Sequence, residues 1–247
     1  MDQSRLTQSA DLFIFDLDGT LLESAIDIAE AVDYTLAGLG YPRAGVGHVR
    51  GWIGDGATVL VARALHWGSG ITPSAAQTAT ALKMFLGHYA DCCCNHTTLT
   101  DGATQIFTVM QRLGIRAAVA SNKPQAASCQ ILEHLGLANR IEVVIGGDTL
   151  PTRKPDAAPL MEAARRCGAK QPWMIGDSEL DRCAALAAGF PFIGVRGGYV
   201  PAIKEQLAEA SAREIIDVPL RRMAAALDTL SPGQVTFNAL RAALARS

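Results

Sequence analysis

The sequence predicts an α/β protein: a parallel, Rossmann-like sheet with helices on both faces and an α-helical cap inserted behind the first strand. Three observations in the 247 residues carry this prediction. Apolar runs of strand length alternate with longer segments of helical period. Four of those helical segments are each followed by a glycine, Gly114, Gly136, Gly168 and Gly189, the residue best suited to a helix C-terminus. Between Ser24 and Leu99 the alternation stops, and no strand candidate appears.

Taken in order, Leu12-Phe13-Ile14-Phe15 is the first strand, too apolar to have a solvated face. Ser24 is a candidate N-cap for Ala25-Ile26-Asp27-Ile28-Ala29, and further helices are expected over 54–67 and 74–89. An all-helical insert at that position would sit over the active edge of the sheet as a lid. Strands are then expected at 115–120, 142–145, 173–175 and 192–195, with helices at 103–113, 125–135, 157–167 and 179–188 between them. Residues 213–216 suggest an edge strand and 219–227 a helix. After Ser231-Pro232-Gly233 comes a further amphipathic helix to residue 247. The expected division is a core of 1–22 and 100–228, a cap of 23–99, and a C-terminal helical extension of 229–247. No internal repeat is visible.

Composition narrows the function. An apolar fraction of 49% supports a sizeable core, and a formal charge of -2 gives no bulk reason to expect nucleic acid or a membrane as partner. No apolar run reaches membrane-spanning length. The first ten residues are polar and carry no export signal, so a cytoplasmic location is expected. Six cysteines, three of them adjacent (Cys92, Cys93, Cys94), make a poor disulfide framework. His88, Cys92 and His96 would line one face of a continuous helix and offer zinc-type ligands. The alternative is a helix ending near Ala90 followed by a plain connector. Monomer and homodimer are both left open.

The chemistry gathers at strand ends. Asp16-Leu17-Asp18-Gly19-Thr20 follows the first strand and places two carboxylates in one turn. A carboxylate can attack phosphorus and split one hard displacement into two easier ones. Asp18 would protonate the leaving oxygen and later deprotonate water. Clustered carboxylates suit Mg²⁺, here expected on Asp16, Asp177 and the backbone carbonyl of Asp18. The competing reading is an acidic turn with ordinary Asp-Gly chemistry.

Ser121 and Asn122 end the second strand, where they could hold phosphoryl oxygens or cap the helix beginning near Pro124. Lys123 is expected to be solvated. Lys154, before Pro155, could pair with the nucleophile and the phosphate, although most lysines lie on the surface. Asp177 follows another strand, with Asp181 four residues on as a group that orients Lys154 or a water; Asp177 or Ser178 could equally be a helix cap.

Together these segments resemble the haloacid-dehalogenase-like phosphatases over almost the whole chain to about Leu227. The resemblance rests on Asp16-Leu17-Asp18-Gly19-Thr20, Ser121, Lys154 and Gly176-Asp177-Ser178-Glu179-Leu180-Asp181, which match the family's four motifs in order. It implies a Mg²⁺-dependent enzyme with Asp16 as nucleophile, Asp18 as acid/base and a small phosphorylated metabolite as substrate.

Within the family the phosphoglycolate phosphatase branch is the most similar, through Arg50-Gly51-Trp52-Ile53-Gly54-Asp55-Gly56-Ala57, Arg63-Ala64-Leu65, Ser121-Asn122-Lys123-Pro124 and Ile145-Gly146-Gly147-Asp148-Thr149-Leu150-Pro151. That likeness implies 2-phosphoglycolate as substrate, with Thr20, Asn122, Gly54, Arg63 and Trp52 as binding residues. Other phosphate esters, a mutase reaction, or a non-catalytic binding module are the alternatives. Glu23 stands where the branch usually has Asp, next to the expected hinge, and Ala157 where a Pro is common.

Overall fold

A strand that is apolar on both faces has to be covered on both sides. In β1 (Leu12–Phe15), Phe13 and Phe15 enter one buried cluster while Leu12 and Ile14 enter another. The computed structural model describes residues 7–196, 198, 199 and 214–246. After β1 come the short strands β2 (Leu22–Glu23) and β3 (Thr98–Leu99), then β4 (Arg116–Ala120), β5 (Val143–Ile145), β6 (Pro172–Gly176), β7 (Phe192–Val195) and β8 (Glu214–Val218). Six strands form one parallel sheet in the order β5-β4-β1-β6-β7-β8. β1 therefore lies centrally, with Phe13 in register with Ala117 on one side and Trp173 on the other.

Helices α1 (Ala25–Gly38), α2 (Gly45–Val49), α3 (Ala57–Ser69) and α4 (Ala75–Cys92) pack on one another between the ends of the β2–β3 ribbon. The remaining helices, α5 (Ala103–Leu113), α6 (Gln125–His134), α7 (Ala158–Cys167), α8 (Glu179–Ala188), α9 (Leu220–Asp228) and α10 (Phe237–Arg246), surround the sheet. α7 and α8 bury Leu160, Ala163 and Ala184 with Leu12 and Ile14. α5, α9 and α10 close the other face with Ile106, Met223 and Phe237. Among the described residues no helix is long and apolar enough to cross a membrane.

Several local expectations need correction. The β2–β3 ribbon was invisible because two-residue strands carry no periodicity. Ser24 precedes α1 but makes no cap bond; its hydroxyl donates to Asp18 instead. α3 starts at Ala57 rather than 54, because Gly54 and Gly56 hold positive φ. α4 runs past Ala90 to Cys92, while His96 lies beyond its end. His88 and Cys92 group with Glu30, and His96 groups with Asp27 and Glu30, so His88, Cys92 and His96 do not share one helix face. α7 begins at Ala158, one residue later than expected. The edge strand appears as β8; Arg213 lies outside the described residues.

The C-terminal helix is part of the core packing. Phe237 meets the indole of Trp173 edge-on at 5.2 Å, and Trp173 stacks on Phe13 of β1 at 5.5 Å. Both Phe237 and Trp173 are fully buried. Phe237→Ala is therefore expected to destabilise the chain by about 3–5 kcal/mol, as phenylalanine truncations in cores do. A urea titration checks it, and a loss below about 1 kcal/mol would mean the tail is an appendage.

Candidate active site

In an open parallel sheet, ligands bind beyond the C-terminal strand ends where the winding reverses, and here that point is β1 between β4 and β6. Asp16 follows β1, Ser121 follows β4 and Asp177 follows β6. Lys154 arrives from the loop between β5 and α7. Residues far apart in sequence thus meet because three strands end together.

Lys154 is the hub. Its Nζ lies 2.9 Å from Asp16 Oδ1, an ion contact without hydrogen-bond alignment, and donates to Asp181 Oδ1 at 2.5 Å. Asp16, Asp177 and Asp181 bring carboxylate oxygens within 4.8 Å of one another, all buried. Asp181 also accepts from the hydroxyl and amide of Ser178, at 2.6 and 3.1 Å, closing a capping box on α8. Asp181 therefore positions Lys154, while Ser178 rather than Asp177 caps the helix. Asp177 receives the Thr20 hydroxyl at 2.7 Å. Thr20 is fully buried and orients Asp177; it does not line the cavity at the site.

Glycines make room for this cluster. Gly19 has φ +89°, and a Cβ there or on Gly198 would collide with the Asp177 carboxylate.

Three buried carboxylates against one ammonium leave two negative charges uncompensated. Burial pushes the Asp16 carboxyl up to about 6, with Asp181 and Asp18 adding to the rise and Lys154 opposing it. Burial, and then Asp16, hold Asp177 well above the usual carboxylate range. Burial works against the Lys154 ammonium, but Asp16 and Asp181 together outweigh it and keep its pKa above the ordinary lysine value. An all-oxygen donor set short of two positive charges fits a hard divalent cation, with Asp16 and Asp177 as the carboxylates free to hold it.

Asp18 faces a different partner. Its carboxylate accepts from Lys123 Nζ at 2.8 Å and from the Ser24 hydroxyl at 2.5 Å, apart from the carboxylate cluster. Its side chain is therefore no member of the metal set. Lys123, expected to be solvated, has a side chain only 2% exposed. It lies under the ring of Tyr89 from α4, with Nζ 4.9 Å from the centroid. The cap supplied by α4 removes it from water, and no local sequence signal announces that. Lys154 is likewise buried rather than on the surface.

A small cavity of ≈ 40 Å³ opens between Asp16, Asp18 and Ser121 on the core side and Ile53, Gly54 and Tyr89 on the helical side. Asn122 lines it as a strut. Its Nδ2 donates at 3.0 Å to the carbonyls of both Gly54 and Lys154, so the expected helix cap is not made by it. The cap comes from Asp148, whose Oδ1 accepts from Gln125 N at 2.7 Å. Two expected binding residues are not brought here. Arg63 pairs with Asp55 at 2.7 Å and donates to the Trp52 carbonyl at 3.1 Å. The Trp52 ring stands among His48 and Trp67, and both residues line a separate cavity on the helical unit. The turn presents Ile53 and Gly54 to the site and sends Trp52 away.

At the hinge, sequence reasoning missed Tyr199. Tyr199, in the loop after β7, accepts from Ser24 N at 2.6 Å and donates to the Leu22 carbonyl at 3.3 Å. Glu23 pairs with Arg50 at 2.7 Å, and the Arg50 guanidinium lies 5.0 Å over the Tyr199 ring. Tyr199 sits beyond a strand end, so the strand-edge rule was the signal that could have found it.

A parallel sheet carrying this carboxylate–lysine cluster at its switch point defines a hydrolase class. The chain belongs to the haloacid dehalogenase-like hydrolases, whose family model matches residues 13–195. It is 40% identical over 196 residues to the phosphoglycolate phosphatase of Colwellia psychrerythraea, covering 78% of this chain and 87% of that one. Its identity to the phosphoglycolate phosphatase of Pseudomonas syringae pv. tomato is 38% over 221 residues, 86% of this chain and 78% of the relative. Among solved structures, a predicted phosphoglycolate phosphatase from Haemophilus somnus superposes with a TM-score of 0.73 at 31% identity, covering 78% of this chain and 88% of that chain.

The raised Asp16 pKa has a thermodynamic consequence. The folded chain keeps this proton to about 6, whereas the unfolded carboxylate releases it near 3.8. The stability it contributes is complete below the lower value and is lost as pH rises through the upper one. A divalent cation replaces that proton, so stabilisation by added Mg²⁺ should grow between roughly pH 4 and pH 7. Thermal unfolding with Mg²⁺ and with chelator checks this; a Mg²⁺ effect that does not change with pH would contradict it.

Proposed function

We propose that this chain is a phosphomonoesterase that hydrolyses 2-phosphoglycolate to glycolate and phosphate through a phosphorylated Asp16. The observation that carries the reading is the division of environment between two carboxylates two residues apart. Asp16 shares the single cation Lys154 with Asp181 in a cluster that is short of positive charge, while Asp18 is held by its own cation, Lys123. Two carboxylates in distinct settings can take distinct roles.

Asp16 attacks phosphorus while the bond to the ester oxygen breaks. Asp18 gives that oxygen its proton, and glycolate leaves. Asp18 then takes a proton from water, which attacks phosphorus and releases phosphate from Asp16. Lys154 holds Asp16 in place and balances charge as it spreads over the phosphoryl oxygens. Ser121 lines the cavity and supplies a hydroxyl to one of those oxygens. Mg²⁺ on Asp16 and Asp177 would neutralise their charge and draw in the phosphate.

The small cavity supports a small substrate, and the names of the curated relatives support 2-phosphoglycolate. Helices α1–α4 act as a cap that excludes water from the reacting atoms. The core, cap and C-terminal helix divide near residues 23, 99 and 229.

Asp16→Asn should lower kcat by at least about 10³-fold while leaving the thermal transition in place. Steady-state phosphate release measures it, and an active Asn variant would exclude the covalent route. In the same assay 2-phosphoglycolate should show a higher kcat/KM than glucose 6-phosphate. The reverse order would remove the substrate assignment and leave the mechanism standing.

A further inference from the structure

Three residues that line the cavity carry a buried polar atom without a hydrogen-bond partner, Asp16 Oδ1, Asn122 Oδ1 and the Tyr89 hydroxyl, and only the last of these atoms is a donor. Tyr89, in the last turn of α4, is 2% exposed, and among the described residues its hydroxyl makes no hydrogen bond. Its ring stacks on Phe85 at 5.3 Å and lies 4.9 Å from Lys123 Nζ. Native chains rarely bury a hydroxyl unpaired, and an orphan beside a ligand cavity points to a partner that arrives with the ligand. Burial first, and then the charge of Asp18, hold the phenol neutral, so the group is a donor.

On the core side the Ser121 hydroxyl is assigned to the phosphoryl group, and two further side-chain donors have partners. Lys123 donates to Asp18, and the Asn122 amide donates to two carbonyls. Tyr89 therefore offers a free O–H from the cap wall, across from the Asp16 and Ser121 wall that would receive the phosphoryl group. We propose that the Tyr89 hydroxyl is a specificity contact, donating a hydrogen bond to the carboxylate at the end of the substrate remote from phosphorus. This rests on the 2-phosphoglycolate reading and assigns its carboxylate a ligand. An ester lacking the carboxylate leaves the hydroxyl buried and unpaired. Sites built around a polar contact discriminate strongly against analogues that lack it.

The test is Tyr89→Phe in the full chain with Mg²⁺, which keeps the ring, its stacking and its contact with Lys123. Two substrates are compared, 2-phosphoglycolate and ethyl phosphate, the latter of similar length without the carboxylate. The ratio of their kcat/KM values should fall about 10- to 100-fold in the variant, the range for a hydrogen bond to a charged group. Glycolate binding, followed by calorimetry, should weaken by a similar factor. The unliganded variant should be at least as thermally stable as the parent, because it buries one unpaired hydroxyl fewer; a stabilising role for the hydroxyl would instead lower the transition. A parent that prefers 2-phosphoglycolate and a variant that keeps both the preference and the glycolate affinity would overturn the contact alone. A parent that neither prefers 2-phosphoglycolate nor binds glycolate would overturn the substrate reading and the contact together.

Discussion

The rest of the site depends on how three buried carboxylates share one lysine. Lys154 touches Asp16 and Asp181, Asp181 is anchored by Ser178, and Asp177 is anchored by Thr20. Removing Lys154 would leave the buried carboxylates without their cation, a loss of about 3–5 kcal/mol in comparable pairs. The sheet makes the arrangement possible. Parallel strands bring three chain segments to one edge, and Gly19 and Gly198 leave the space that Asp177 fills. Fold and chemistry are linked through that edge: its rigidity keeps like charges close, and their unmet charge favours a cation and an anionic ester.

A second constraint joins the helical unit to the sheet. Asp27, at the start of α1, is fully buried and accepts from His96 N, Thr97 N and the Thr97 hydroxyl at 2.7–3.0 Å. It ties together the outgoing and returning chain beside the β2–β3 ribbon. Tyr199 fixes the same ribbon from the sheet side. Ser24 joins both systems, since its amide meets Tyr199 and its hydroxyl meets Asp18. The carboxylate assigned to proton transfer is thus held partly by the hinge, and Glu23 is occupied by Arg50 rather than by the site.

Much of this was legible in the residues. The apolar strands, the glycine-terminated helices and the strand-end placement of Asp16, Ser121 and Asp177 follow from periodicity and from a topological rule. Asp181 is expected to orient Lys154 or a water, and its carboxylate accepts from Lys154. What escaped depends on contacts that no local pattern encodes. Lys123 looks like any loop lysine until Tyr89 covers it. Thr20 and Asn122 have polar groups that suit a ligand, yet their partners prove to be Asp177 and two backbone carbonyls. Trp52 shares a turn with Gly54 and Arg63 follows on α3, but both line a separate cavity, while Ile53 and Gly54 line the one at the site. Spacing locates a segment; it does not say which way its side chains point.

The central claim is that the cluster of Asp16, Asp177 and Asp181 is completed by one divalent cation held by Asp16 and Asp177. Titration calorimetry of the metal-free chain with Mg²⁺ tests it most directly. One ion should bind per chain, with proton release that grows as pH falls toward the Asp16 value. Asp177→Asn should weaken that binding by about 10-fold or more. No measurable Mg²⁺ binding to the parent chain, or equal affinity in the Asn variant, would contradict the account.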